Sequence, residues 1–209
     1  VSETQPNNFN TRPISDGTLK VAPKGKMLKV IEAYDGQLVT GCLYENFLVE
    51  NNNVISDVEN DILKIVVLNR YEVADPAIGF IKNFNLKRGA IASSVAHDSH
   101  NIVAVGTSDK DIAKAINLVI AKSGGISLVN EAESMVLPLP VAGLMSTSNG
   151  YSVASSYQKM DDEVHKMGSK LRAPFMTLSF MALLVIPKLK LSDKGLFDGE
   201  TFRFSNLFE

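Results

Sequence analysis

Cysteine, histidine and long apolar runs are all scarce in this chain, and each scarcity excludes something. One cysteine, Cys42, stands among 209 residues. A disulfide framework and a thiolate metal cluster are therefore excluded, and a reducing, cytoplasmic location is expected. The longest unbroken apolar run is Phe180 to Ile186, far short of the roughly 18 residues a membrane span needs. The start, VSETQPNNFNTRP, is polar and has no apolar centre, so it is not a secretory signal. An excess of one charge is also missing: 21 Lys and Arg face 23 Asp and Glu, for a net charge of -2. Neither a polyanion nor a membrane surface finds much attraction here. No GxGxxG opens a helix after a strand, and no GxxxxGK[ST] or GxSxG occurs, which removes the common dinucleotide, phosphate-loop and serine-elbow readings.

What is present is a globular composition, 45% hydrophobic and 21% charged, with enough chain for one large core or two small ones. Residues 1–26 offer few apolar side chains and read as a polar linker or loosely attached arm. Such a start is expected where another domain precedes. Residues 27–209 read as the folded domain. Met27–Tyr34 and Leu38–Val49 flank Asp35-Gly36, a hairpin signal. A turn at Asn51-Asn52-Asn53 precedes a short strand at Val54-Ile55. Asp61–Leu68 is a β-branched run that fits a buried strand, and Ala77–Phe84, Gly89–Ala96 and Ile102–Gly106 follow it as strands. Ser108 can cap a helix whose residues Ile112, Ala115, Ile116, Val119 and Ile120 share a face, with Gly124-Gly125 closing it. Ile126–Val129 and Met135–Leu137 read as strands. A second helix is predicted over 153–171, with Val153, Tyr157, Met160, Val164, Met167 and Leu171 forming one stripe. Phe175–Ile186 fits a buried helix or a buried strand; periodicity does not choose. Strands first in a row, then alternating with helices, predict an α+β fold of mixed or antiparallel sheets layered with helices.

The densest chemistry lies in LKRGAIASSVAHDSHNIVAVGT, Leu86–Thr107, where two of the three histidines fall within four residues between apolar runs. Ser94, His97, Asp98 and His100 are the candidate site residues. Polar groups crowded between buried strands are costly unless paired or used. As metal ligands, His97 and His100 would need a turn through Asp98-Ser99 to converge, and a third ligand besides. As a nucleophilic set, Ser94 or Ser99 with His97 and Asp98 would have to meet although they are sequence neighbours. As acid–base or hydrogen-bonding groups toward a substrate, His97, Asp98 and His100 need less geometry. The fourth use, satisfying local backbone groups in a turn, is the commonest for such residues. Lys87-Arg88 reads as a solvated turn and His165 as a solvated helix residue.

At these residues the chain resembles the C-terminal domain of adenine deaminases, of the amidohydrolase superfamily. The resemblance rests on DILKIVVLNR (Asp61–Arg70), the segment Gly79–Asn117, LPLPVAGLMS (Leu137–Ser146) and PFMTLSFMALLVIPKLKLSDKGLFD (Pro174–Asp198). It implies a parent hydrolase that converts adenine and water to hypoxanthine and ammonia. It also implies a separate catalytic barrel, in cis or in trans, that carries a divalent metal, manganese or iron. No HxH occurs here, and a (β/α)₈ barrel alone needs about 250 residues, so this chain is expected to be no TIM barrel and to be inactive alone. The His97–His100 turn would face the barrel mouth and help close the adenine site. The alternatives are a stand-alone purine or small-ligand module, and an assembly module joining like subunits through the helix stripe and Phe175–Ile186.

Overall fold

The computed structural model describes residues 6–131 and 133–209. In chain order its elements are β1 Leu28–Ala33, β2 Thr40–Glu45, β3 Leu48–Glu50, β4 Asn53–Ile55, β5 Ile62–Leu68, β6 Ala77–Lys82, β7 Ala90–Ser93, β8 Ile102–Gly106, α1 Asp109–Ala121, β9 Gly125–Asn130, β10 Glu133–Pro138, α2 Gly150–Lys166, α3 Pro174–Phe180, β11 Leu189–Ser192, β12 Gly195–Asp198 and β13 Arg203–Phe204. Eight strands form one open mixed sheet in the order β10-β9-β7-β8-β5-β6-β1-β2. Within it β1 and β6 run parallel and every other neighbouring pair runs antiparallel. β11, β12 and β13 form a second, small sheet, and β3 and β4 form a two-stranded ribbon. This is the expected α+β layering; the sheet keeps two edges, β10 and β2, and is not a closed barrel.

Both faces of the large sheet are covered, which explains why β5 is buried at every position. Leu63, Ile65 and Val67 point to one face and pack with α2, α3 and the small sheet through Met160, Val164, Leu178, Leu191 and Leu196. Val66 and Leu68 point to the other face and meet α1 through Ile112, Ile116 and Val119. The period of two along a strand thus feeds two separate apolar layers. Lys64 falls on the α1 face, fully buried. Its Nζ bonds Asp109 Oδ1 at 2.6 Å and the Leu19 carbonyl at 2.8 Å, since a buried ammonium is tolerated only when paired.

α1 begins as expected. The Ser108 hydroxyl accepts from the Asp111 amide at 3.1 Å and donates to Asp111 Oδ2 at 2.8 Å. The second helix is shorter than its stripe. It ends at Lys166, because Gly168 takes the non-helical φ of +117; only glycine fits there, since a Cβ would lie 2.7 Å from the Asn85 carbonyl oxygen. Met167 and Leu171 still reach the core from the irregular chain beyond the helix. Phe175–Ile186 resolves into a helix to Phe180, started by Pro174 at its first turn, and then a series of turns. At the Asn51-Asn52 turn both residues have positive φ, the form that a two-residue hairpin requires.

Residues 6–26 are an arm, but not a loosely attached one. Leu19 is fully buried in the α1 layer. The Asn10 and Thr11 amides bond the Arg70 carbonyl, the Asn117 side chain bonds Ile14, and Val21 pairs with Asn53 and Val54. Low apolar content predicted weak attachment; one buried leucine and hydrogen bonds of the arm's backbone groups supply it.

Candidate functional site

The turn between β7 and β8, residues 94–101, is built by its own polar side chains. Ser93 Oγ accepts from the Val95 amide at 2.9 Å, an ST-turn that bends the chain out of the sheet. The His97 amide donates to the Ser179 carbonyl on α3 at 3.0 Å, and the His100 amide to the Ala96 carbonyl at 2.6 Å. His100 sits at φ +53 and reverses the chain back into β8. Asp98 and Ser99 form the exposed tip. The His97 ring lies on the Phe180 ring, centroids 4.8 Å apart and 18° from parallel, and meets the His100 ring edge-on at 5.9 Å.

Burial pushes the His100 imidazole below its ordinary range; the nearby His97 and Arg70 push the same way, and Asp98 opposes them. Its Nδ1 is enclosed and has no hydrogen-bond partner among the described residues. Two cavities flank α3 beside this turn. One of about 330 Å³ is lined by Asp35, Leu38, Arg172, Met176, Thr177 and Phe180. The other, about 160 Å³, is lined by Ser93, Val95, Leu137, Tyr157, Phe175 and Met176. Met176 borders both. A polar tip beside an apolar trough is an arrangement that can cover a flat heteroaromatic ligand while offering it hydrogen-bonding groups.

A family model for the adenine deaminase C-terminal domain matches residues 37–203. The chain belongs to this family. The adenine deaminase of Methanosarcina acetivorans is 53% identical over 213 aligned residues, which take in 97% of this chain and 38% of that protein. That of Parabacteroides distasonis is 48% identical over 202 residues, 97% of this chain and 37% of that protein. That of Borreliella burgdorferi is 42% identical over 210 residues, 98% of this chain and 38% of that protein. The chain therefore spans less than two fifths of the length of these relatives.

In this adenine deaminase C-terminal domain the four candidate residues separate. His97, Asp98 and His100 gather at the tip of one turn. Ser94 does not join them. Its hydroxyl is fully buried, donates to the Gly143 carbonyl at 2.6 Å and accepts from the Gly125 amide at 2.8 Å. It locks β9 and the 139–145 loop together. The Ser94 hydroxyl proton is thus engaged by the Gly143 carbonyl and not by the His97 ring. Among the described residues no group of three or more His, Cys, Asp or Glu side chains could hold a metal ion. Lys87 and Arg88 are engaged rather than free: Lys87 bonds the Val58 carbonyl, and Arg88 bonds Asn130 and the Lys166 carbonyl. His165 Nε2 stands 2.8 Å from the Leu171 carbonyl oxygen and helps close the end of α2. No helix of the described residues is long and apolar enough to cross a membrane.

Sequence reasoning missed Phe180, Tyr71 and Lys190. Phe180 comes from α3, remote in sequence, and only the fold lays it under His97. Lys190 is fully buried on β11, with its Nζ on the Leu38 carbonyl at 2.5 Å and the Phe180 carbonyl at 3.1 Å. A lysine inside the apolar run LKL was its one sequence signal.

Proposed function

We propose that this domain forms one wall of the purine site of an adenine deaminase, with the His97–His100 turn facing the substrate. The parent reaction converts adenine and water to hypoxanthine and ammonia. A divalent metal on the separate catalytic barrel, manganese or iron, supplies the attacking hydroxide when bound. The barrel acts with this domain in cis or in trans, and the domain has no catalytic activity without it. The enzyme works in the cytoplasm.

The observation that carries this reading is the build of the turn. Its tip is exposed and polar, yet its base is fixed by the Ser179 carbonyl, the Ala96 carbonyl and the Phe180 ring. Preorganised groups of that kind lower the cost of orienting a bound purine. His97 and His100 can donate to or accept from ring nitrogens, Asp98 can accept from the exocyclic amine, and the turn excludes water from that side. The test uses full-length adenine deaminase bearing this domain. Replacing His97 and His100 together by alanine is expected to lower kcat/KM for adenine by roughly 10²-fold with metal content unchanged. Unaltered kcat and KM would overturn the reading.

A further inference from the structure

We infer that Tyr71 is a positioning residue for the His97–His100 turn, held in place by Arg70; this rests on the reading of that turn as part of the purine site. Among the described residues Tyr71 is the one side chain from outside the turn that bonds it. Its hydroxyl donates to the Ser99 carbonyl at 2.6 Å, next to the exposed tip.

The tyrosine is itself fixed from behind. Arg70 Nη2 donates to the Tyr71 hydroxyl at 3.1 Å, and the guanidinium carbon lies 4.8 Å from the Tyr71 ring centroid. The other side of the arginine is no freer. Arg70 Nη1 donates to the Ala142 carbonyl at 2.9 Å, and its guanidinium carbon is 5.7 Å from the Phe9 ring centroid. The Arg70 amide donates to Asn101 Oδ1 at 3.3 Å, at the foot of the same turn. Arg70 is 4% exposed, so its charge polarises the tyrosine hydroxyl at low local dielectric and strengthens the bond onward to Ser99. Three segments thus converge on one residue: the arm, the 139–145 loop and the turn.

The consequence is a division of labour. Phe180 and the Ser179 carbonyl fix the His97 end of the turn, and Tyr71 fixes the Ser99–His100 end. Without the second tether the tip swings on the first, and groups that must meet a purine within a fraction of an ångström lose their register.

The experiment is a double-mutant cycle in full-length adenine deaminase. Tyr71→Phe removes one hydroxyl and keeps the ring against Arg70. It is expected to lower kcat/KM for adenine roughly tenfold, and to cost less than about twofold further when His97 and His100 are already alanine. Amide hydrogen exchange at residues 97–101 is expected to quicken in Tyr71→Phe, which can be read whatever the variant's thermal stability. Wild-type kinetics in Tyr71→Phe, with the histidine variant impaired, would overturn the tether and leave the reading of the turn standing. Wild-type kinetics in both would remove that reading itself. A full tenfold loss in the histidine-free background, or unchanged exchange in the turn, would also overturn the tether.

Discussion

The His97 ring rests on the Phe180 ring, 4.8 Å between centroids and 18° from parallel, so the end of α3 sets the direction of the turn. The same two segments are joined by the His97 amide on the Ser179 carbonyl. Ring and backbone contacts at adjacent residues leave His97 little freedom. Phe180→Leu keeps most of the volume and loses the stack. It is expected to cost about 1 kcal/mol in urea unfolding, and Phe180→Ala about 2–3 kcal/mol. A Phe180→Leu protein as stable as wild type would show that the stack contributes nothing.

Ser94 is expected to act on stability rather than on substrate, because its hydroxyl is engaged by backbone. Ser94→Ala leaves the buried Gly125 amide and the Gly143 carbonyl without their hydroxyl partner. A loss of about 1–3 kcal/mol is expected in chemical denaturation. In the full-length enzyme, below its unfolding range, kcat and KM for adenine are expected to stay within about twofold of wild type. A large fall in kcat at unchanged stability would return Ser94 to the candidate site.

Lys190 gives a pH signature. Burial pushes its ammonium down from 10.5 to about 8, and the two carbonyls that hold it carry no compensating charge. The unfolded chain keeps the proton up to its higher pKa, so between about pH 8 and 10.5 it binds more protons than the folded protein. Stability contributed by this group therefore rises with pH through that window, and the cost of burying the charge is fully present below it. The unfolding free energy of the wild type minus that of Lys190→Met is expected to increase from pH 7.5 to pH 10. A flat difference would mean that the ammonium is not desolvated.

Much of the strand pattern was legible because burial leaves a period. DILKIVVL reads as a two-sided strand, and it lies between two apolar layers. The Ser108 cap was legible because capping depends on residues three apart. The end of α2 was not: its apolar stripe runs on past Lys166, and the helix stops where Gly168 takes φ +117. The arm was misjudged for a related reason. Its attachment rests on Leu19 in the α1 layer and on hydrogen bonds to partners remote in sequence, which no local run of residues shows. Within the polar cluster, residue types could not separate Ser94 from His97. One turns into the Gly125 and Gly143 backbone and the other out toward α3.

The sequence by itself determined the family, the α+β layering and the place of the polar turn. Periodicity and local capping act over a few residues, and 53% identity to a named relative needs no coordinates. Tertiary structure alone decided which polar groups are braces and which form the exposed tip. It set Phe180 under His97, Tyr71 against Ser99 and Lys190 behind α3, pairs whose members lie far apart in the chain or across a turn. Such contacts depend on how layers stack and on which hydrogen bonds burial makes obligatory, and neither is written in any local run of residues.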